Sequence, residues 1–252
     1  MLSAKELVRF EKHIDLPDFG EEKQSLLASK KIAMIGAGGL GCPASLYLVA
    51  SGVGKLDIYD DDVVMMTNLQ RQVLYTESDS KKPKVEAAQV ALEKTNPYCK
   101  INSIQEKISE DNIHLIQGVD LVVDATDNFK ARYLLNRYCY TNNIPLVTGS
   151  VLHYVGQVML FHSQRNNDVK CGCYKCLYPI QPENNEVPTC NDSAVFSPIT
   201  GTIGTLMATE ALKELLGIGD NLHGHILLYN SLSMSFSKMS VPQNHQCEVC
   251  SL

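Results

Sequence analysis

A glycine-rich turn between a strand and a helix constrains this chain more than any other feature. Lys31–Ile35 (KIAMI) is a short apolar run, and Gly36-Ala37-Gly38-Gly39-Leu40-Gly41 follows it directly. Cys42–Ser51 then carries a helical pattern. Strand, turn and helix in that order form the setting of the phosphate-binding fingerprint. Glycine lets the backbone turn tightly and approach a phosphate. The helix N-terminus adds unpaired N–H groups and a partial positive charge. Asp60, nineteen positions past Gly41, ends the next expected strand, Leu56–Tyr59. A carboxylate there can hold a ribose hydroxyl. Gly36, Gly38, Gly39, Gly41 and Asp60 are therefore candidate nucleotide-binding residues.

The rest of the chain continues the alternation. Helix Lys84–Thr95 stops at Asn96-Pro97, and strand Ile101–Ile104 and helix Glu110–Gln117 follow. Strand Leu121–Asp124, helix Lys130–Tyr140 and strand Leu146–Thr148 come next. Short apolar strands joined by helices predict a parallel sheet covered on both faces. Beyond it the pattern changes. Val155–Phe161 alternates and reads as antiparallel, and Ser163–Ser193 is a polar insert rich in Asn, Pro and Cys. Thr202–Leu216 reads as a helix, and Ile226–Tyr229 with Met234–Lys238 as a hairpin. The expected fold class is α/β: a Rossmann-like, doubly wound, mostly parallel sheet continued by antiparallel strands. We expect one domain over residues 1–252. It divides into a helical arm (1–30), a nucleotide-binding half (31–150) and a second half (151–252) that holds the insert.

Composition narrows the function classes. A chain of 252 residues with 44% hydrophobic and 20% charged residues is an ordinary globule. A net charge of −6 argues against broad binding to nucleic acid or anionic lipid. The start, MLSAKELVRFEKHIDLP, is amphipathic without an apolar signal core, and no run of 18 apolar residues occurs. The expected location is the cytoplasm. Nine cysteines cannot all pair, and in a reducing compartment paired thiols read as metal ligands before disulfides.

NAD, FAD and ATP all fit a phosphate cradle. The residues after Asp60 favour ATP. Asn68 and Arg71 lie three apart, so a helical turn would place them on one face. Arg71 offers a fork of donors to phosphate, Asn68 binds phosphate or ribose, and Lys84 adds a point charge. Such donors suit a triphosphate, whereas a nicotinamide needs apolar space. Asp124-Ala125-Thr126-Asp127-Asn128 ends another buried strand at the same crevice. Asp127 is either a magnesium ligand, or it or Asn128 caps the following helix.

GAGGLGCPASLYLVASGVGKLDIYDDDVVMMTNLQRQVLY, with KPKVEAA and DATDN after it, resembles the ThiF/MoeB/HesA family. These are relatives of ubiquitin-activating enzymes, and the sequence stands nearest ThiF. The likeness runs from LVRFEKHI to CEVC. It implies a nucleotidyltransferase that adenylylates the C-terminal glycine of a ubiquitin-fold sulfur carrier ending in Gly-Gly. Pyrophosphate is released, in thiamine-type sulfur transfer or, alternatively, on the molybdopterin synthase small subunit. By the same likeness Asp60 binds the ATP ribose, Asn68, Arg71 and Lys84 bind the phosphates, and Asp127 holds Mg²⁺. It also implies a homodimer in which an N-terminal Arg reaches the partner's ATP. The family pattern there is Arg-Tyr-x-Arg-Gln-Ile, and this chain has Lys12 at the second Arg position. Lysine keeps the charge and loses the fork.

Cys173-Tyr174-Lys175-Cys176 and Cys247-Glu248-Val249-Cys250 are two CxxC units. Together they make a four-thiolate site with no open position, which signals structural zinc. Cys171 is a nearby extra thiol. Cys190 stands alone in a polar stretch, and the likeness implies covalent linkage to the carrier there. Cys42, Cys99 and Cys139 read as core residues. An NAD-dependent oxidoreductase is the alternative of another class. It would need a hydride-transfer site in the second half, and no such arrangement is visible.

Overall fold

The computed structural model describes residues 2–163, 171–182 and 194–251. Three short helices come first, α1 (Ala4–Arg9), α2 (Glu11–Ile14) and α3 (Gly20–Ser29). The alternating part follows as β1 (Lys31–Ile35), α4 (Gly41–Ser51), β2 (Lys55–Tyr59), α5 (Lys84–Thr95), β3 (Lys100–Ile104), β4 (Leu121–Asp124), α6 (Phe129–Thr141) and β5 (Leu146–Leu152). The remainder is β6 (Val155–Phe161), α7 (Tyr174–Leu177), α8 (Ser197–Leu216), β7 (His225–Asn230) and β8 (Ser235–Ser240).

All eight strands join one sheet in the order β3-β2-β1-β4-β5-β6-β7-β8. Pairings from β3 across to β5 are parallel, and those from β5 to β8 are antiparallel. The strand direction switches at β5, while the chain order reverses beside β1. That reversal opens a crevice at the carboxyl ends of β1 and β4. One face of the sheet packs Leu48, Val49, Leu92, Ile203 and Met207 from α4, α5 and α8. The other packs Leu134, Leu135 and Cys139 of α6 with Ile116 and Tyr174. Strands buried on both faces explain why β1 and β4 read as continuous apolar runs.

Two of the expected helices differ from the structure. Glu110–Gln117 is no α-helix, and only the 3₁₀ turn Ile113–Leu115 forms. The Asn112 side chain accepts from Ser109 N–H at 2.8 Å and so competes with helical pairing. Gly118, at φ +60°, then turns the chain toward β4, while Ile116 is pulled into the core and its carbonyl accepts from the Tyr138 hydroxyl. The second difference is α8, which begins at Ser197 instead of Thr202. Its first turn is poor in helix formers, yet Pro198 is tolerated there, and Thr200 and Thr202 hydroxyls bond back to the Ser197 and Pro198 carbonyls. Packing against α4 outweighs propensity.

Candidate functional site

The glycine turn closes as its sequence requires. Gly36 sits at φ +98°, and a Cβ there would lie 2.8 Å from the Ala125 carbonyl oxygen. At Gly41 a Cβ would lie 2.0 Å from the Gly36 oxygen. The turn thus lies tight against the loop after β4. Asp60 fastens it from the end of β2. One carboxylate oxygen accepts from Ala37 N–H at 2.7 Å and the other from Asp62 N–H at 2.9 Å. Each oxygen keeps a further lone pair for a ligand. Burial pushes the Asp60 carboxyl up, and the nearby Lys84 charge and these N–H donors oppose that shift.

A crevice opens above this turn, and its empty space, open to solvent, is about 1020 Å³. Gly36, Gly38, Gly39, Asp60, Arg71, Lys84 and Asp127 all line it. Gly41 lies just behind, as the first residue of α4. Lys84 is buried, and its ammonium contacts the Asp62 carboxylate at 2.8 Å. The cation is therefore held at the crevice wall by an acid that neutralises it. Arg71 donates from Nη1 to the Thr67 carbonyl at 3.2 Å.

The alternatives at Asp127 and Asn128 separate. Asn128 caps α6, its side chain accepting from Ala131 N–H at 2.8 Å. Asp127 is half-buried in the crevice lining and does not fill the cap. The Asn68 side-chain oxygen accepts from Met65 N–H at 3.2 Å, near the crevice-lining Arg71 in sequence. Its amide closes the turn Met66–Asn68, a local use that the three-residue spacing did not reveal. Lys12 stands on exposed α2 beside Glu11 at 3.3 Å and Asp15 at 3.7 Å, away from the crevice of its own chain. Sequence reasoning missed Gln72, Thr200 and Lys107, which also line the opening. Gln72 follows Arg71 directly and was legible in that run, whereas Thr200 arrives only through the packing of α8.

The second cluster lies beside α6, where Asn136 and Tyr140 touch it. The sulfurs of Cys173, Cys176, Cys247 and Cys250 all lie within 4.8 Å of one another. Cys173 Sγ is 3.7 Å from Cys247 Sγ, and Cys176 Sγ is 3.2 Å from Cys250 Sγ. Tetrahedral bonds of about 2.3 Å to one zinc place sulfurs about 3.8 Å apart, so the donor set suits such an ion. The Cys250 thiol pulls the Cys173 thiol down, and Cys250 is pushed up in return. Cys171 is buried near Gly224 and is not one of the four. Cys190 lies outside the described residues, as does Glu183–Glu186 of the acidic stretch. Burial pushes the Cys42 and Cys99 thiols up to about 12 and raises Cys139 further, which fits core residues.

A model of the ThiF family matches residues 10–249. The chain belongs to the ThiF family. It is 42% identical over 249 residues to the sulfur carrier protein adenylyltransferase of Thermus thermophilus, covering 98% of this chain and 92% of that one. It is 38% identical to the molybdopterin-synthase adenylyltransferase of Salmonella typhimurium, covering 99% and 98% respectively. Among solved structures, E. coli MccB with ATP superposes with a TM-score of 0.79 at 26% identity, covering 90% of this chain and 68% of that one. None of these ThiF-family relatives is named as an oxidoreductase. Among the described residues, no helix is long and apolar enough to cross a membrane.

Proposed function

We propose that this chain is an ATP-dependent adenylyltransferase acting on the C-terminal glycine of a ubiquitin-fold sulfur carrier, in the cytoplasm. The reading is carried by one convergence: the glycine turn, Asp60, Arg71, Lys84 and Asp127 border a single crevice. The carrier's terminal carboxylate is already ionised at neutral pH, so the reaction needs no general base. Its oxygen attacks the α-phosphorus of ATP, the bond to the β-phosphate oxygen breaks, and acyl-adenylate and pyrophosphate result. Two anions must be brought together, so positioning and cationic donors matter most.

The turn residues Gly36–Gly41 hold the phosphates through backbone N–H groups, and Asp60 holds the ribose. Arg71 and Lys84 face the charge that builds on departing pyrophosphate, and Asp62 gives up part of its hold on Lys84 as phosphate arrives. Asp127 would hold Mg²⁺, which supplies charge neutralisation at the phosphates. Asn68, whose side-chain oxygen is taken by Met65 N–H, offers its NH2 group to phosphate or ribose. Cys173, Cys176, Cys247 and Cys250 would hold Zn²⁺ in a structural role. The carrier meets the second half of the chain. Its apolar surface finds a counterpart in Leu232, Met234, Phe236 and Met239, which are exposed around the β7–β8 hairpin. In a homodimer Lys12 reaches toward the partner's nucleotide. Cys190 accepts the carrier after activation.

The carrier is of the thiamine-pathway type. A second reading, a molybdopterin synthase small subunit, is favoured by the near-complete coverage of the Salmonella adenylyltransferase. The test mixes the purified protein with ATP, Mg²⁺ and each carrier, then measures pyrophosphate release and the mass of a carrier–AMP adduct. An adduct with one carrier chooses between the readings. No adduct with any Gly-Gly-tailed carrier overturns both.

A further inference from the structure

A buried arginine outside the sequence expectations sits between the two clusters. Arg132 lies on the second turn of α6 and is 6% exposed. Its Nη2 donates to the Thr126 carbonyl at 2.7 Å and approaches the Gly149 carbonyl of β5 at 3.4 Å. Thr126 immediately precedes Asp127. Its other side is held as well, because its N–H and hydroxyl donate to Asp124 at 3.0 and 2.6 Å. Asp124 is fully buried and also accepts from the Thr148 hydroxyl at 2.8 Å.

The base of this guanidinium is rigid. One helical turn on, Asn136 is buried, accepts from Tyr174 N–H at 3.0 Å and donates to Cys173 Sγ at 3.5 Å. Tyr133 donates to the Tyr178 carbonyl at 2.6 Å. These bonds keep α6 from rolling about its axis. A fork of donors sets the direction of a carbonyl better than a single point charge.

We propose that Arg132 is a positioning residue of the nucleotide site, holding the Thr126 carbonyl so that the next residue, Asp127, presents its carboxylate to the crevice. The proposal rests on Asp127 as the magnesium-holding residue.

The test is a Mg²⁺ titration of the full chain, read by pyrophosphate release and by anisotropy of a fluorescent ATP analogue. In Arg132→Lys the Mg²⁺ midpoint rises about tenfold or more in both readouts, the low end of what lost outer-shell partners cost. Analogue binding without Mg²⁺ stays within about twofold, because the residue that Arg132 positions acts through the metal. A purely structural Arg132 lowers the melting temperature and the active fraction but leaves the midpoint in place, and that result overturns the proposal. Should Arg132→Lys fail to fold, Asp124→Asn loosens Thr126 from the other side and raises the midpoint in the same direction. An unchanged midpoint there also overturns it. Asp127→Ala is the control. A midpoint that shifts there but not in Arg132→Lys refutes the Arg132 role alone. No shift in Asp127→Ala removes the Asp127 reading and the Arg132 role with it.

Discussion

Replacing Asn128 by alanine removes the side-chain acceptor at the start of α6, while replacing Asp127 leaves that acceptor in place. The two substitutions should therefore separate stability from chemistry at adjacent positions. The lost bond spans 2.8 Å to Ala131 N–H. An N-cap of this kind contributes about 1 kcal/mol. For a chain of 252 residues that corresponds to a fall of about 2–4 °C in melting temperature. Asn128→Ser keeps an acceptor of the right reach and should recover most of the loss. Asp127→Ala should cost less stability than Asn128→Ala, yet collapse Mg²⁺-dependent adduct formation. The assay is urea unfolding followed by far-UV circular dichroism, paired with pyrophosphate release. If Asn128→Ala is as stable as the parent, or if Asp127→Ala unfolds more readily while retaining activity, the division of roles is refuted.

Three further outcomes follow from the geometry. Gly41→Ala sets a Cβ 2.0 Å from the Gly36 oxygen, so the turn must open, and ATP binding measured by calorimetry should be lost even where the fold survives. Cys247→Ser should lower metal content, measured by plasma emission spectrometry, and melting temperature together. Unchanged metal content would show that the four sulfurs do not act as one site. Cys42 and Cys99, with thiols pushed up to about 12, should resist a thiol reagent at pH 8 in the native state, since the thiolate fraction is about 1 in 10⁴ there. Rapid native labelling of either would refute their burial.

How far the molecule was legible in its sequence depends on where each signal lies. The strand-turn-helix opening was readable because its three parts are adjacent and chemically distinct. The two CxxC units were readable because each pair offers two thiolates to one ion, and the structure gathers all four sulfurs. Lys84–Thr95 matched as a helix to both ends, since a proline-bounded run of strong formers needs no tertiary help. Glu110–Gln117 misled because its helical spacing is overruled by a side-chain bond at Asn112 and by a turn at Gly118. At Asn68 the spacing gives a face and not a direction, and only the structure shows the side-chain oxygen turned back to Met65 N–H. Arg132 carried no local signal. A basic residue on a helix is most often solvated, and only the meeting of α6 with β5 and the loop after β4 makes this one buried.

The sulfur cluster beside Asn136 joins stretches of chain that are far apart in sequence. From Cys176 to Cys247 is 71 positions, and α8, β7 and β8 all fall within that span. An ion gripping both pairs would be a cross-link around a large ring. Closing a ring of that size in an unfolded chain costs on the order of 4 kcal/mol of configurational entropy. A sheet that brings the two pairs together removes that cost from metal binding. Once closed, the ring has a mechanical consequence. A single backbone cut between α8 and β7 would leave both fragments joined through the ion, and separating them would require a chelator as well as a protease.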